Sequence, residues 1–388
     1  MLMRHAMPFR FALPILVLTG TITIHALAVT KPSCGGKMRA VTASAFGPPR
    51  DVLRLEANVP RPCGRENKLL IRISACSLSP GDWRMLSGDT SLAKKPDAFP
   101  YVPGLDVCGV VVENGAAAET GAQAFAVGDT IVATWGGAFG TGGLAEYALV
   151  DASMAAPKPD GLSCADAAAL ANSAGHALLA LRAARVAPGD RVLVLGGGGG
   201  VGSALVQLAR APEFGASFVA ATSSDTALLT SLGVDRPIDY TREDWWSPNA
   251  TAARLFDVIV DCAEGATAWR RVRGGDSVLK RSGRFVAVVI NEWHIPMTKP
   301  WHLFGFLLPP LCRVLRSQLG GAVKYVVYAQ SLDAAVLGEV LELASSGQLR
   351  AVVDPSGPFA FSSEGAAAAF DRLRSRHAKG KLVITMDE

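Results

Sequence analysis

The feature of the sequence with the clearest chemical use is a run of glycines between an apolar segment and a helical one. Arg191–Leu195 has the pattern of a buried strand, and Gly196–Gly200 follow it directly. Residues without a Cβ let the backbone approach a pyrophosphate closely, and the amino end of the next helix adds N–H groups and a positive dipole. The G-x-G-x-x-G spacing in this strand-turn-helix context predicts a dinucleotide site. Its predicted members are Gly197, Gly199, Gly200, Val201 and Gly202.

The residues after the second strand of this unit indicate which dinucleotide is bound. An NAD site usually has a carboxylate about 20 residues beyond the glycines, where it grips the ribose 2′-hydroxyl. This chain has Ser223 and Ser224 there, and the nearest carboxylate, Asp225, falls in the next predicted helix. Small hydroxyl side chains leave room for a 2′-phosphate, so we predict NADPH, bound by Ser223 and Ser224. The loop lacks an obvious cation, and Arg236 is the closest candidate.

The composition limits the class of protein. With 388 residues, 49% apolar and 19% charged, the chain is long enough for two domains with buried cores. Residues 1–50 carry six basic and no acidic residues, whereas the rest carries 32 basic and 34 acidic residues. No nucleic-acid partner is predicted, because the body lacks a basic face interleaved with aromatics. The seven cysteines lie far apart without a CxxC pair, which argues against a disulfide framework and a clustered zinc site.

The amino-terminal segment has the composition of a targeting signal. Residues 1–10 are basic, residues 11–30 carry no formal charge, and Ala26-Leu27-Ala28 offers small residues at both positions of an A-x-A cleavage site. The uncharged stretch is also just long enough to cross a bilayer as an uncleaved anchor. Residues 1–30 are therefore interpreted as a signal peptide or a membrane anchor. Entry into a mitochondrion, plastid or the endomembrane route, and membrane association through this leader, are left open.

The elements that position these residues change character along the chain. Residues 38–155 contain short strand-like runs bounded by Pro and Gly clusters, as in a β-rich unit. From residue 191 to residue 328, apolar strands alternate with helices, which is typical of a parallel sheet covered on both faces. The tail mixes helices with strand-like segments at 349–354 and 381–386. The order predicts an α/β protein with a separate β-rich unit.

Several segments in this order resemble the medium-chain dehydrogenase/reductase superfamily, in its zinc-free quinone oxidoreductase branch. They are SLSPGDW (77–83), PGLDVCGVV (103–111), GDTIVA (128–133), GGLAEY (142–147), VLVLGGGGGVGSALVQLA (192–209), LGVDRPIDY (232–240) and FDVIVDCAEG (256–265). The resemblance implies a GroES-like β-barrel catalytic domain, residues 37–159 completed by 329–388. It further implies an inserted doubly wound Rossmann domain, residues 160–328, which binds NADP in the cleft between the two.

The sequence departs from the zinc-dependent members of this superfamily at each ligand position. Ser79 stands where they have a cysteine, and Leu105 stands where they have a histidine. Residues 168–179 contain neither the Cys nor the Glu that supplies a third ligand. A catalytic zinc needs about three protein ligands, so we expect no metal. The resemblance then implies hydride transfer to a quinone or another α,β-unsaturated carbonyl rather than alcohol dehydrogenation.

The resemblance also assigns residues to the two ends of the cofactor. Ser79 and Asp82 line the substrate side. His176 lies close to the nicotinamide, where a neutral imidazole can hydrogen-bond the carboxamide or donate a proton to the reduced substrate. Tyr240 matches a tyrosine that contacts the adenosine 2′-phosphate, while a lysine that often assists it is replaced near Asp225.

Two further segments carry expectations that depend on the fold. Lys379 and Lys381 fall where the family tail closes over the cofactor cleft, but we expect an exposed basic pair there. The apolar stretch 301–315 is too short to span a membrane. It fits a flap over the cleft, a patch on a membrane surface, a dimer contact or a core helix, so a homodimer is left open.

The leading hypothesis is an NADPH-dependent, zinc-free oxidoreductase whose partner is a small-molecule quinone or enone. One alternative is a nucleotide-binding interaction protein at an organelle membrane, in which catalysis has lapsed. The departures at Ser79, His176 and Asp225 motivate it. Another alternative is an enoyl-thioester reductase, although the segment Ser87–Thr90 lacks the tyrosine that such reductases place there.

Overall fold

The structure is a computed structural model, and the residues it describes begin at Ser33. They run to residue 386 with gaps at 65–67, 92–95, 97, 116–124, 135–141, 248–253, 275–276, 292–295, 321–322 and 328–331. The predicted leader, residues 1–30, lies outside the described residues. Within them, no helix combines the length and apolar character that crossing a bilayer requires.

The strands of the described residues alternate with helices most regularly in the middle of the chain. The strands are β1 (Ser33–Ala43), β2 (Leu53–Pro62), β3 (Lys68–Leu78), β4 (Asp106–Asn114), β5 (Thr130–Thr134), β6 (Tyr147–Asp151), β7 (Ala155–Pro157), β8 (Arg191–Leu195), β9 (Phe218–Thr222), β10 (Arg236–Ile238), β11 (Phe256–Asp261), β12 (Leu279–Ala287), β13 (Lys324–Val326), β14 (Phe359–Ala360) and β15 (Leu382–Thr385). The helices are α1 (Pro49–Val52), α2 (Pro80–Ser87), α3 (Cys164–Ala184), α4 (Gly200–Leu208), α5 (Thr226–Ser231), α6 (Ala266–Val272), α7 (Pro300–Gln318), α8 (Ala334–Ser345) and α9 (Ser363–Arg374), with a 3-10 turn at Ala152–Met154.

The amino-terminal part and the tail share one sheet. Its strand order is β14-β15-β3-β4-β5-β7, with β6 also paired to β3, and β1 and β2 form a separate antiparallel ribbon. The register places Leu382 opposite Leu78, and Ser77 opposite Asp106. Asp106 is in turn opposite Thr134. The ends of four neighbouring strands therefore meet at one edge of the sheet, although one of them comes from the end of the chain.

The middle of the chain forms a six-stranded parallel sheet in the order β10-β9-β8-β11-β12-β13. Alternate residues of a strand point to opposite faces. Val192 and Val194 of β8 pack into one core with α3 and α4, and Leu193 and Leu195 pack into another with Trp269 of α6. Both faces are covered, which confirms the predicted doubly wound arrangement. The strand order reverses between β8 and β11, where ligands of such sheets bind.

Helix α3 connects the two sheets because one of its faces is built from small residues. Ala167, Ala168 and Ala171 pack against Cys108 of β4 and Val383 of β15. The later part of the helix contributes residues such as Leu178 and Leu181 to the core of the parallel sheet. Alanines let the helix lie close to the strands of the first sheet, so α3 fixes the position of one sheet against the other.

The structure corrects some of the predicted elements. The segment 349–354 is not a strand, and only Val353 makes an isolated bridge, to Lys381. Strand β2 and helix α2 have no counterpart among the predicted elements. The sequence of β2, LRLEANVPRP, contains two prolines and several charged residues, and most of its residues are exposed or only partly buried. Such a strand pairs as an edge ribbon without the apolar alternation on which strand prediction depends.

Candidate functional site

The glycine-rich turn follows β8 and leads into α4, as predicted. Gly196 adopts a φ of +82°, and the N–H of Gly197 donates to the Thr222 carbonyl at 2.8 Å. A Cβ on Gly202 would lie 2.1 Å from the carbonyl oxygen of Gly196. No other residue fits at position 202, so the predicted third glycine is what allows α4 to pack directly against β8.

The amino end of α4 lies at the end of this turn. Among the described residues, no side chain caps the helix at Gly199. A Cβ on Gly198 would lie 2.4 Å from Ser223 Oγ, and a Cβ on Gly200 would lie 2.9 Å from Lys381 Cδ. The turn is thus a backbone cradle with uncapped N–H groups, which is the geometry that holds a pyrophosphate.

The loop after β9 gathers the residues predicted for the adenosine end. Ser223 is buried, and its Oγ accepts the N–H of Asp225 at 3.0 Å. Ser224 is exposed. Tyr240, which follows β10, is 47% exposed. Lys379 Nζ lies 2.6 Å from Asp225 Oδ2, and this hydrogen bond lowers the pKa of Asp225. A lysine from the tail therefore lies at the loop in which the sequence lacked a cation.

Arg236, the cation that the sequence suggested for this loop, is engaged elsewhere. Its Nη2 donates to Glu243 Oε2 at 2.6 Å, and its Nη1 donates to the Pro237 carbonyl at 3.3 Å. Glu243 neutralises it locally. Lys379 differs from Arg236 in that its partner, Asp225, belongs to the loop after β9.

The tail contacts the glycine turn through its backbone. Gly380 donates its N–H to the Gly198 carbonyl at 2.8 Å, and Lys381 donates its N–H to the Val352 carbonyl at 2.8 Å. Gly380 has a φ of +76°, and a Cβ there would lie 2.0 Å from Val352 oxygen. Glycine is therefore required at position 380, and the tail is held between the turn and residue 352.

Lys381 is only 6% exposed, so the expectation of an exposed basic pair is wrong for this lysine. Its Nζ donates to Ser79 Oγ at 2.9 Å and to Asp106 Oδ2 at 3.1 Å. Ser79 Oγ donates to the same Asp106 oxygen at 3.0 Å, and Thr134 Oγ1 donates to the other at 2.7 Å. These contacts arise from the strand register, because each residue lies at the same edge of the sheet. A buried ion pair requires such additional hydrogen bonds to offset desolvation.

Asp82 holds the backbone next to this cluster. Its two carboxylate oxygens accept the N–H groups of Ser79, at 2.8 Å, and Gly104, at 3.0 Å. Burial raises the pKa of Asp82 to about 7, and the charge of Asp106 adds to the rise. Both oxygens are occupied by backbone donors, so the structure has Asp82 fixing the start of α2 and the position of Ser79.

His176 lies on α3, and the charges of the same cluster act on its pKa. Burial lowers the pKa of its imidazole, while the charges of Asp106 and Lys381 act on it in opposite directions. Burial therefore favours the neutral form of this imidazole. The structure brings His176 and Ser79 to the electrostatic surroundings of one ion pair.

The carboxyl end of β11 is fixed by its own last residue. Asp261 accepts the N–H groups of Ala263, Glu264 and Gly265 at 2.9, 2.9 and 2.6 Å. Burial raises the pKa of this carboxyl to about 7. A Cβ on Gly196 would lie 3.1 Å from Ala263 Cβ. Asp261 thereby positions the loop that lies against the glycine turn at the reversal of the strand order.

The described residues contain no group of three His, Cys, Asp or Glu side chains placed to hold a metal ion. The absence of zinc remains a prediction. Cys63 is disulfide-bonded, and five cysteines are free thiols: Cys76, Cys108, Cys164, Cys262 and Cys312. One disulfide at most is therefore present in the chain, rather than a framework.

The sequence analysis missed Asp106 as a site residue and placed Lys381 on the surface. The sequence contained an indication for both residues. Asp106 is the first residue of the largely apolar strand DVCGVVVEN, and Lys381 directly precedes the apolar strand LVIT. A charge at a buried strand end requires a partner. The identity of that partner depends on strand register across 275 residues of sequence.

A β-sheet unit completed by the tail, joined to a dinucleotide-binding parallel sheet, is the architecture of medium-chain dehydrogenases and reductases. The sequence matches the family "Alcohol dehydrogenase GroES-like domain" over residues 65–160 and the family "Zinc-binding dehydrogenase" over residues 232–384. This chain belongs to the medium-chain dehydrogenase/reductase family. The resemblance and fold class inferred from its motifs are thereby confirmed.

Several characterised proteins are similar to it over most of their length. The 2-methylene-furan-3-one reductase of Solanum lycopersicum is 35% identical over 97% of this chain and 86% of its own length. The NADPH-dependent alkenal/one oxidoreductase, chloroplastic, of Arabidopsis thaliana is 34% identical over 90% and 79%. The NAD(P)H oxidoreductase RTN4IP1, mitochondrial, of Mus musculus is 29% identical over 87% and 86%. The solved quinone oxidoreductase of Coxiella burnetii superposes with a TM-score of 0.69 at 26% identity, over 91% of this chain and 100% of that chain.

The buried ion pair leads to a prediction on stability. Lys381→Met leaves the Asp106 carboxylate buried without a counter-charge, and we expect the free energy of unfolding to fall by about 3–5 kcal/mol. Adding Asp106→Asn removes that charge, so the double variant should lose much less than the two single variants together. Urea unfolding measures all three. Lys379→Met is the control, because its side chain is 41% exposed and should change stability by less than about 1 kcal/mol. Additive losses would contradict the pairing.

The raised pKa of Asp82 predicts a pH dependence. Its folded value of about 7 lies above the ordinary 3.8, so between about pH 4 and pH 7 the folded protein holds a proton that the unfolded chain releases. The free energy of unfolding therefore falls as the pH rises through this window. Asp82→Asn cannot ionise, so its slope should be flatter by up to about 1.4 kcal/mol per pH unit. Parallel stability curves for the two proteins would show that the assignment is wrong.

Proposed function

We propose that this protein is an NADPH-dependent, zinc-free oxidoreductase that transfers hydride to a quinone or another α,β-unsaturated carbonyl compound. The observation that carries the proposal is the position of Lys381. Its stem lies against Gly200 of the dinucleotide turn, and its ammonium group reaches Ser79 and Asp106 in the other sheet. One side chain thus connects the cofactor cradle to a polar cluster suited to a carbonyl oxygen. The activities named for the relatives from tomato and Arabidopsis agree with this chemistry.

The cofactor would be held along the carboxyl edge of the parallel sheet. Gly197, Gly199, Gly200, Val201 and Gly202 form the cradle for the pyrophosphate. Ser223, Ser224, Tyr240 and Lys379 would receive the adenosine 2′-phosphate. Lys379 is the member of this set that carries positive charge, and it would exchange its contact with Asp225 for the phosphate. This electrostatic preference for NADPH does not need a cation within the loop itself.

The substrate end would use the cluster around Lys381. Bound NADPH supplies the hydride. As the substrate carbon accepts it, negative charge develops on the carbonyl oxygen, and fixed donors stabilise such charge most when they are held in place beforehand. Ser79 Oγ would become such a donor when its O–H turns from Asp106 Oδ2 to the substrate oxygen, while Lys381 Nζ still donates to Ser79 Oγ and Asp82 holds the Ser79 backbone. His176, neutral at neutral pH, offers an N–H to the carboxamide or a proton to the reduced substrate.

The absence of zinc belongs to the same proposal. Ser79 and Leu105 occupy two positions that carry zinc ligands in metal-dependent members, and the Lys381 ammonium already neutralises Asp106 beside them. The proposed domain bounds are 37–159 with 329–388 for the catalytic domain, and 160–328 for the Rossmann domain. They are supported by the sharing of one sheet between strands β3 to β7 and β15.

Turnover of the purified protein tests the proposed function. NADPH oxidation is followed with 1,2-naphthoquinone and with an alkyl vinyl ketone as acceptors, and NADH serves as the control cofactor. We expect oxidation that prefers NADPH, and Ser79→Ala should lower kcat at least about tenfold with little change in KM for NADPH. Ser87→Ala, on the same helix, is the matched control and should behave as the wild type. Cofactor binding without turnover on either acceptor would instead support a nucleotide-binding interaction protein.

Lys379 gives a separate prediction on cofactor choice. Lys379→Ala removes the cation proposed for the 2′-phosphate, so KM for NADPH should rise about tenfold, or ~1.4 kcal/mol, while KM for NADH stays nearly constant. Lys324→Ala, at an exposed lysine on β13, is the control. An equal rise for both cofactors would mean that Lys379 acts on the fold rather than on the phosphate.

We propose that residues 1–28 direct the chain into an organelle and are then removed. The basic segment, the uncharged segment and the Ala-Leu-Ala sequence support this, and the relatives from Arabidopsis and mouse are named as chloroplastic and mitochondrial. Amino-terminal sequencing of the protein from its source cells should find Val29 first. A chain that retains residues 1–28 would favour a membrane anchor instead.

A further inference from the structure

Helix α7 presents a continuous apolar surface to solvent. Trp301, Phe304, Leu308, Leu311 and Leu315 follow one another at spacings of three and four residues, which places them on one face of the helix. They are 62%, 72%, 56%, 53% and 50% exposed. We call these five residues the α7 stripe. An exposed apolar surface of this extent marks an interaction site in a folded protein.

The opposite side of α7 is attached to the parallel sheet. Arg313 Nη1 donates to the Ile290 carbonyl at 2.8 Å and to the Tyr325 hydroxyl at 3.2 Å. Val314 packs against the aromatic core that contains Tyr325. The helix is therefore held with the stripe pointing outward. The exposure of the stripe is therefore not the result of a helix that has separated from the sheet.

The charged residues of the segment that carries the stripe have one sign. Between Glu292 and Asp333 the sequence contains no carboxylate, and it contains Lys299, Arg313, Arg316 and Lys324. Arg316 and Lys324 are exposed, and Lys299 Nζ lies 5.3 Å from the Trp301 ring centroid. Apolar residues with a terminal tryptophan, flanked only by basic residues, form the pattern of a helix that lies in a membrane interface.

We propose that the α7 stripe docks on the surface of a bilayer that contains anionic phospholipids. The helix lies in the interface plane with the stripe among the acyl chains, while Lys299, Arg316 and Lys324 contact headgroup phosphates. Within the described residues no helix can span the bilayer. Each basic residue near an anionic surface adds attraction, which salt weakens. A symmetric pair of α7 helices is disfavoured, because it brings two basic segments together without a carboxylate of either segment between them.

Docking in this orientation also bears on the substrate, and this step rests on the proposed function. The amino end of α7 is tied to the cleft, since Asn291 Nδ2 donates to the Phe306 carbonyl at 2.7 Å and Met297 N donates to the Asp89 carbonyl at 2.5 Å. Asp89 follows α2, which begins beside Ser79. A docked helix therefore places the substrate side of the cleft near the membrane, where a lipophilic quinone or alkenal is dissolved.

Vesicle flotation of the full chain tests the docking. We expect the protein to float with vesicles of phosphatidylcholine and phosphatidylglycerol and much less with phosphatidylcholine alone. Phe304→Asp with Leu308→Asp should weaken binding at least about tenfold, because two apolar contacts are lost and two negative charges are added. Arg316→Glu with Lys324→Glu should abolish the preference for anionic vesicles. Val127→Asp, at a position that is 65% exposed and remote in sequence, is the matched control and should bind as the wild type.

The remaining outcomes separate this proposal from its alternatives. The wild type and each variant are measured with and without residues 1–28, so that the leader cannot hold them on the vesicles equally. Equal flotation of the wild type and the stripe variants without the leader would overturn the proposal. Absence of flotation, together with a dimer that the stripe variants convert to a monomer, would overturn it in favour of a second copy as occupant. NADPH oxidation with a water-soluble quinone is measured on the same proteins. Its failure would reject the proposed function and leave the docking result standing.

Discussion

The buried ion pair between Lys381 and Asp106 constrains both the fold and the site. Two charges removed from water require partners on every side, and here Ser79 and Thr134 supply them from neighbouring strands. The pair forms only when the last strand of the chain inserts beside β3. The sheet that contains β3 is therefore completed by the tail. In sequence, the segment that forms the parallel sheet lies between the two parts of this unit, which meet at Lys381.

Close approach of the backbone is the second condition for the site. The alanines of α3 allow the helix to lie on the first sheet, and Gly202 and Gly380 accept contacts that no Cβ would permit. These positions account for the Ala-rich and Gly-rich stretches that make the sequence appear of low complexity. In the folded protein they bring the turn after β8 so close to the edge of the other sheet that the side chain of Lys381 contacts both.

The sequence was sufficient to predict features that depend on short spacings. The glycine turn and the alternation of strands and helices follow from local pattern. The pairs Lys381–Asp106 and Lys379–Asp225 could not be predicted in the same way, because they depend on strand register and on where the tail returns. The segment 301–315 shows a similar limit, since an apolar helix face is the same in sequence whether a core or solvent covers it.

The three residues Lys379, Gly380 and Lys381 explain why departures from the family pattern do not by themselves indicate lost activity. Asp225 stands near the position where the family pattern has a lysine, and Lys379 from the tail lies beside it. Gly380 fixes the tail on the turn, and Lys381 then reaches Ser79 and Asp106. Both lysines are positioned by the same segment of the tail, which is held by backbone hydrogen bonds to Gly198 and Val352. Residues from one part of the chain can thus compensate for a departure in another.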